Sequence, residues 1–130
     1  MNKILRILVS LPAILFVVTG LRWITDPAGA AGALGMFLME GVGRSSQIGD
    51  TGALFLTMGL MILIALVTSK RSWFYAPALM LSTIAIFRVL AWLFHDAALA
   101  PQMIVVELIV ASLLLFASTR LCERGTSGSE

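Results

Sequence analysis

The chain has 130 residues, of which 59% are hydrophobic and 12% are charged, and its formal net charge is +2. An ordinary soluble domain carries about a quarter charged residues, so this composition excludes a soluble globular protein. The scarcity of charge also excludes an intrinsically disordered chain. The composition therefore predicts an integral membrane protein.

Four apolar stretches approach or reach the roughly 20 residues that a helix needs to cross about 30 Å of hydrocarbon. We therefore predict an all-α fold, in which four transmembrane helices form a bundle. The predicted spans cover residues 4–24, 51–68, 73–94 and 101–121. They form one membrane domain over residues 1–124, followed by a short flexible tail over residues 125–130.

The first span also has features of a secretory signal peptide. Lys3 and Arg6 precede its apolar run, and Ala28-Gly29-Ala30 imitates a small-residue cleavage site. Because Arg22 and Trp23 interrupt the approach to that site, we expect the segment to be retained as a helix.

The connection to the second span contains a further apolar stretch, residues 28–42, which is too short to cross the membrane. We predict a short interfacial or re-entrant helix there. Gly29, Gly32 and Gly35 either permit a close helix contact or simply form a loop.

The second span has small residues and a predicted cap. Gly52 and Gly59 lie seven residues apart, which gives a narrow face for a neighbouring helix. Asp50 directly precedes the span and is its predicted N-cap. The aromatic residues near the predicted boundaries of the spans fit an interfacial aromatic belt: Trp23 outside, and Trp73, Phe74 and Tyr75 inside.

The Lys and Arg residues that flank the spans favour one orientation. With the N-terminus inside, only Arg22 and Arg44 lie on the outer side. The cytoplasmic flanks then hold Lys3, Arg6, Lys70, Arg71, Arg120 and Arg124. Because cationic segments resist translocation, both termini of this multi-pass membrane protein are predicted to be cytoplasmic. Cys122 then lies on the side where thiols stay reduced.

Two ionisable residues, Arg88 and Glu107, lie inside the predicted spans, where an unpaired charge is costly. Arg88 comes six residues before Phe94, and Glu107 comes six residues after Pro101, so each lies about 9 Å below the same boundary. A short connection makes the third and fourth helices antiparallel neighbours. We therefore predict an Arg88–Glu107 ion pair in the outer half of the bundle.

Other polar residues converge on this outer half. His95 lies seven residues after Arg88 on the same helical face, and Arg22 ends the first span on the same side. The candidate polar cluster, which is either structural or ligand-binding, comprises Arg88, Glu107, His95, Asp50 and Arg22.

Three interpretations of the cluster remain open. In the first, the Arg88–Glu107 pair is only structural. In the second, it is part of a site for a lipid, a quinone or another small amphiphile. In the third interpretation, Glu107 and His95 exchange protons in a small oligomeric transporter or proton-linked carrier. We favour an accessory or small-ligand-binding membrane bundle, whose partners include membrane lipid and either a second copy of the chain or a partner membrane protein.

The sequence gives no support to an enzyme or to a nucleic-acid-binding protein. One histidine cannot form the clusters that hold metals in membrane oxidases, and no phosphate loop, Cys-x-x-Cys or serine nucleophile motif is present. The basic residues form no continuous patch. We predict no catalytic residue, no metal, no cofactor and no nucleic-acid partner.

The order of these features resembles a group of bacterial membrane proteins. The resemblance is carried by four short spans, Arg44 ahead of Gly49-Asp50-x-Gly52, Gly59, Arg88 in the third helix and Glu107 in the fourth. It covers about residues 4–120 and points to an uncharacterised four-helix family, a domain of unknown function, loosely similar to the DoxX-like group. The resemblance implies a location in the bacterial inner membrane and redox or quinone-linked membrane partners, whereas the lack of Cys-x-x-Cys argues against an independent redox role.

Overall fold

The computed structural model describes residues 2–122. This part of the chain forms five helices: α1 (Asn2–Thr25), α2 (Pro27–Ala33), α3 (Val42–Thr68), α4 (Arg71–Phe94) and α5 (Pro101–Arg120). Four of them, α1, α3, α4 and α5, are long and apolar enough to cross a membrane. The predicted all-α bundle of four spans is confirmed, and the predicted tail, residues 125–130, lies outside the described residues.

The four long helices pack in a ring. Each long helix contacts two neighbours, in the order α1, α3, α4, α5 and back to α1. The most extensive interfaces are those of α1 with α3 and of α4 with α5. The bundle therefore consists of two tightly packed helix pairs that meet along a common core. Connections 26–41 and 95–100 lie at one end, which we call the loop end, because the chain runs alternately up and down.

The α1–α3 interface depends on glycine. A methyl group at Gly59 would lie 2.7 Å from the Ala13 carbonyl oxygen, and one at Gly20 would lie 2.6 Å from the Leu56 backbone nitrogen. A methyl group at Gly52 would lie 2.8 Å from the Cβ atom of Trp23. The predicted narrow face of Gly52 and Gly59 is confirmed, since backbones this close leave no room for a side chain.

The start of α3 differs from the prediction. The helix begins at Val42 rather than at residue 51, and residues Gln47–Gly52 continue it as a π-helical segment. Asp50 lies inside this segment, so the N-cap prediction is wrong. The wider π turn carries the helix through Gly49-Asp50-Thr51-Gly52, a sequence that is typical of a helix start.

The predicted short helix between the first two spans is α2. The Asp26 carboxylate accepts a hydrogen bond from the Gly29 backbone nitrogen at 3.3 Å, and Pro27 occupies the first turn. Ala30 and Ala31 are the buried residues of α2, whereas a methyl group at Gly32 or Gly35 would meet no atom within 4 Å. Those two glycines therefore make no close helix contact.

Two of the predicted belt aromatics are core residues instead. Trp23 and Phe74 have no exposed surface, whereas Tyr75 is 45% exposed. Trp23 is covered because α2 and the following connection fold back over the loop end of α1, where Ala30, Ala31 and Leu34 pack with it. The belt prediction is therefore wrong for Trp23 and Phe74.

The buried core lies mainly away from the loop end. It is built from residues of all four long helices, including Val9, Ile62, Phe74 and Leu114. Cys122, which follows α5, belongs to it, and burial raises the pKa of its thiol while nearby Arg71 acts in the opposite direction. In contrast, α4 has no buried residue after Ala85 and α5 has none before Ala111. The two helix pairs are therefore less tightly closed toward the loop end.

Candidate ligand-binding site

Arg88 of α4 and Glu107 of α5 face each other in the loop half of the bundle. Arg88 Nε donates to both carboxylate oxygens of Glu107, at 3.1 Å to Oε1 and 2.9 Å to Oε2. The side chains are 30% and 12% exposed, respectively. Since α4 ends at Phe94 and α5 begins at Pro101, as predicted, the two residues lie level and the predicted ion pair forms.

The guanidinium of Arg88 uses only part of its capacity in this pair. Arginine has five N–H donors, and Arg88 directs Nε alone to Glu107. Among residues 2–122, neither Nη1 nor Nη2 of Arg88 donates to a protein acceptor. Up to four N–H donors of Arg88 are thus left for another group.

The pair lines a cavity of about 600 Å³ between the helix pairs. Small-molecule sites typically enclose about 300–1,000 Å³ and combine apolar walls with a few polar groups. The apolar wall includes Phe16, Leu54, Phe55, Met58, Val106 and Val110. The polar lining consists of Thr51, Arg88, Gln102 and Glu107. The cavity has the size and chemistry of a small-ligand site, with its two charged residues paired on the wall.

Part of the cavity wall comes from the connection between α2 and α3. Leu34 and Met36 line the cavity from this segment, next to Ala33 at the end of α2. Gln47 of α3, which is buried, accepts from the Met39 backbone nitrogen at 2.7 Å and donates to the Phe37 carbonyl oxygen at 3.0 Å. This one amide therefore fixes the segment against α3.

Arg44 supports the same connection from the outside. Its Nε donates to the Met39 carbonyl oxygen at 2.8 Å. Neither Gln47 nor this role of Arg44 was predicted, because residues 42–50 were expected to form a loop, where polar side chains are ordinary. The pattern that could have identified Gln47 is a lone amide among apolar residues on an extended third helix.

Three members of the predicted polar cluster lie apart from the pair. Arg22 forms an ion pair with Asp26 one turn along the chain, at 3.6 Å, and borders a separate cavity of about 170 Å³. Asp50 and His95 are exposed and line neither cavity. The expectation of one pocket shared by all five residues is therefore wrong, because Arg22 turns to Asp26, Asp50 sits on the outer face of the π segment and His95 lies beyond the end of α4.

Comparisons with known proteins leave the family open. No family model, no curated protein and no solved structure matches this chain. The resemblance to DoxX-like proteins stays a prediction, and the function has to be argued from the cavity itself.

Proposed function

We propose that this protein is a small bacterial inner-membrane protein that binds a small amphiphile or lipid in the cavity beside Arg88 and Glu107, without enzymatic activity. The observation that carries the proposal is the combination of an apolar cavity of about 600 Å³ with a guanidinium that has spare donors on its wall. Apolar walls accommodate a hydrocarbon chain, and Arg88 binds the polar head.

The ligand reaches the cavity from the membrane in this proposal. Among the lining residues, α1 contributes only Phe16, whereas α3, α4 and α5 each contribute several. The α1–α5 interface is also the least extensive of the four between neighbouring long helices, and in this proposal an acyl chain enters there from the bilayer. Both termini are cytoplasmic in this proposal, so the cavity lies in the outer half of the membrane.

The other two interpretations have less support. A proton relay requires exchange between Glu107 and His95, but His95 does not line the cavity and makes no ion pair with Glu107. A purely structural pair would not require an adjoining cavity of this size. We therefore put neither the carrier nor the structural interpretation forward.

Two neighbouring valines of α5 provide a matched test. Val106 lines the cavity and Val105 does not, although they are similarly exposed, at 54% and 53%. We expect native mass spectrometry of the wild-type protein in mild detergent to show a co-purifying lipid, and Val106→Trp, which fills the cavity, should remove it. Val105→Trp adds the same side chain outside the cavity and should leave lipid occupancy unchanged.

The same measurement can refute the proposal. A wild-type protein that retains no amphiphile, or equal occupancy in the two tryptophan variants, would show that the cavity is not the binding site.

A further inference from the structure

The charges on the cavity wall restrict the head group that fits there. Glu107 holds both carboxylate oxygens within 3.1 Å of Arg88 Nε, so the positive charge is already compensated. An anionic head that approached Arg88 would also approach the Glu107 carboxylate and be repelled by it. Because desolvating a further charge is costly, the wall favours an uncharged head.

Hydrogen-bonding capacity then defines the chemistry of that head. The Nη groups of Arg88 are donors, and the Glu107 oxygens retain lone pairs that can accept. Thr51 of α3 and Gln102 of α5 add a hydroxyl and an amide to the lining of the same cavity. A head that carries both a carbonyl oxygen and a hydroxyl group satisfies these residues, whereas a hydrocarbon alone leaves them unpaired.

The size and depth of the cavity define the tail. A volume of about 600 Å³ equals roughly twenty water-sized groups at about 30 Å³ each. One acyl chain with a small head matches this volume, and a two-chain phospholipid exceeds it. Leu81 and Met58 line the deeper part of the cavity, where a chain can extend toward the core.

Building on the proposed function, we propose that the ligand is a single-chain amphiphile with an uncharged, ester- and hydroxyl-bearing head, of the monoacylglycerol class. The ester carbonyl accepts from Arg88 Nη, a head hydroxyl donates to Glu107, and the acyl chain lies against the apolar wall.

A competition experiment tests this choice of head. The full-length protein in mild detergent is offered equal amounts of monopalmitoylglycerol and palmitoyl lysophosphatidic acid, which share the acyl chain and the glycerol and differ only by an anionic phosphate group. Native mass spectrometry should show preference for the neutral ligand. Glu107→Gln leaves the Arg88 charge uncompensated and should shift the binding ratio toward the anion by at least about tenfold. Glu40→Gln, a change at an exposed acidic residue outside the cavity, should not change it.

A second variant keeps the ion pair intact. Gln102→Lys adds a positive charge to the cavity wall and should shift the ratio in the same direction, so the test does not depend on the folding of Glu107→Gln. Wild-type preference for the anion, or an unchanged ratio in both variants, would overturn the choice of an uncharged head. Absence of binding of either amphiphile to the wild type would overturn the proposed function as well, which separates the two failures.

Discussion

Two ion pairs in this protein differ in how strongly their environment couples them. Arg88 Nε lies 2.9 Å from Glu107 Oε2, and these two side chains are 30% and 12% exposed. Arg22 Nη2 lies 3.6 Å from Asp26 Oδ2, and these two side chains are 47% and 59% exposed. Exposed pairs are screened by solvent and lose side-chain entropy on pairing. A charge left alone at the position of Arg88 or Glu107 has less solvent to compensate it.

Double-mutant cycles should therefore separate the two pairs. We expect Arg88→Met combined with Glu107→Leu to give a coupling energy of about 1–3 kcal/mol in reversible unfolding from detergent micelles. The same cycle with Arg22→Met and Asp26→Leu should give about 0.2–1 kcal/mol, since that pair is exposed. Equal coupling energies would show that the membrane environment does not distinguish these sites.

For individual residues, the sequence predicted only those contacts that depend on how far along its helix each residue lies. Arg88 and Glu107 were paired correctly because both are six residues from a predicted helix end. Placing Arg22, Asp50 and His95 beside them required the direction of each side chain. That direction depends on local competitors such as Asp26, which lies four residues from Arg22 and pairs with it.

Among the elements, α3 shows how a local signal is overridden. Gly49-Asp50-Thr51-Gly52 has the composition of a helix start, yet the helix continues through it as a π-helical segment. Gly41, at φ +61°, provides the turn into the helix instead. The extra turns place Gln47 where it binds the connection, an interaction between distant residues that no local pattern specifies. The end of α4 and the start of α5 were predictable because the polar pair His95-Asp96 and Pro101 mark them locally.

The α1–α3 interface gives a prediction at the same scale. Gly59→Leu should destabilise the protein by about 1–3 kcal/mol or more, because a side chain there meets the Ala13 carbonyl oxygen and the Val17 backbone. Gly32→Leu is the control, since a side chain on Gly32 meets open space. Thermal unfolding in detergent measures both, and equal losses would contradict the packing described for α1 and α3.

The arrangement of the whole bundle was less accessible from the sequence than its helix count. Each span is apolar around most of its circumference, because lipid and protein core are both apolar surroundings. Side chains such as Leu79 and Phe87, at 69% and 65% exposure, therefore look like core residues in the sequence. The order of packing, and the concentration of the core away from the loop end, come from the fit of small residues.

That uneven closure of the bundle leaves the cavity, which an acyl chain occupies in the proposed function. Met58 and Ile62 lie one helical turn apart on α3 and neither has exposed surface, but only Met58 lines the cavity. The most direct measurement is the intermolecular NOE between a protonated acyl chain of monopalmitoylglycerol and methyl-labelled, otherwise deuterated protein. We expect a cross-peak to the Met58 methyl group and none to the Ile62 methyl groups. Acyl contacts confined to lipid-facing methyl groups, with none at Met58, would show that the chain does not enter the cavity.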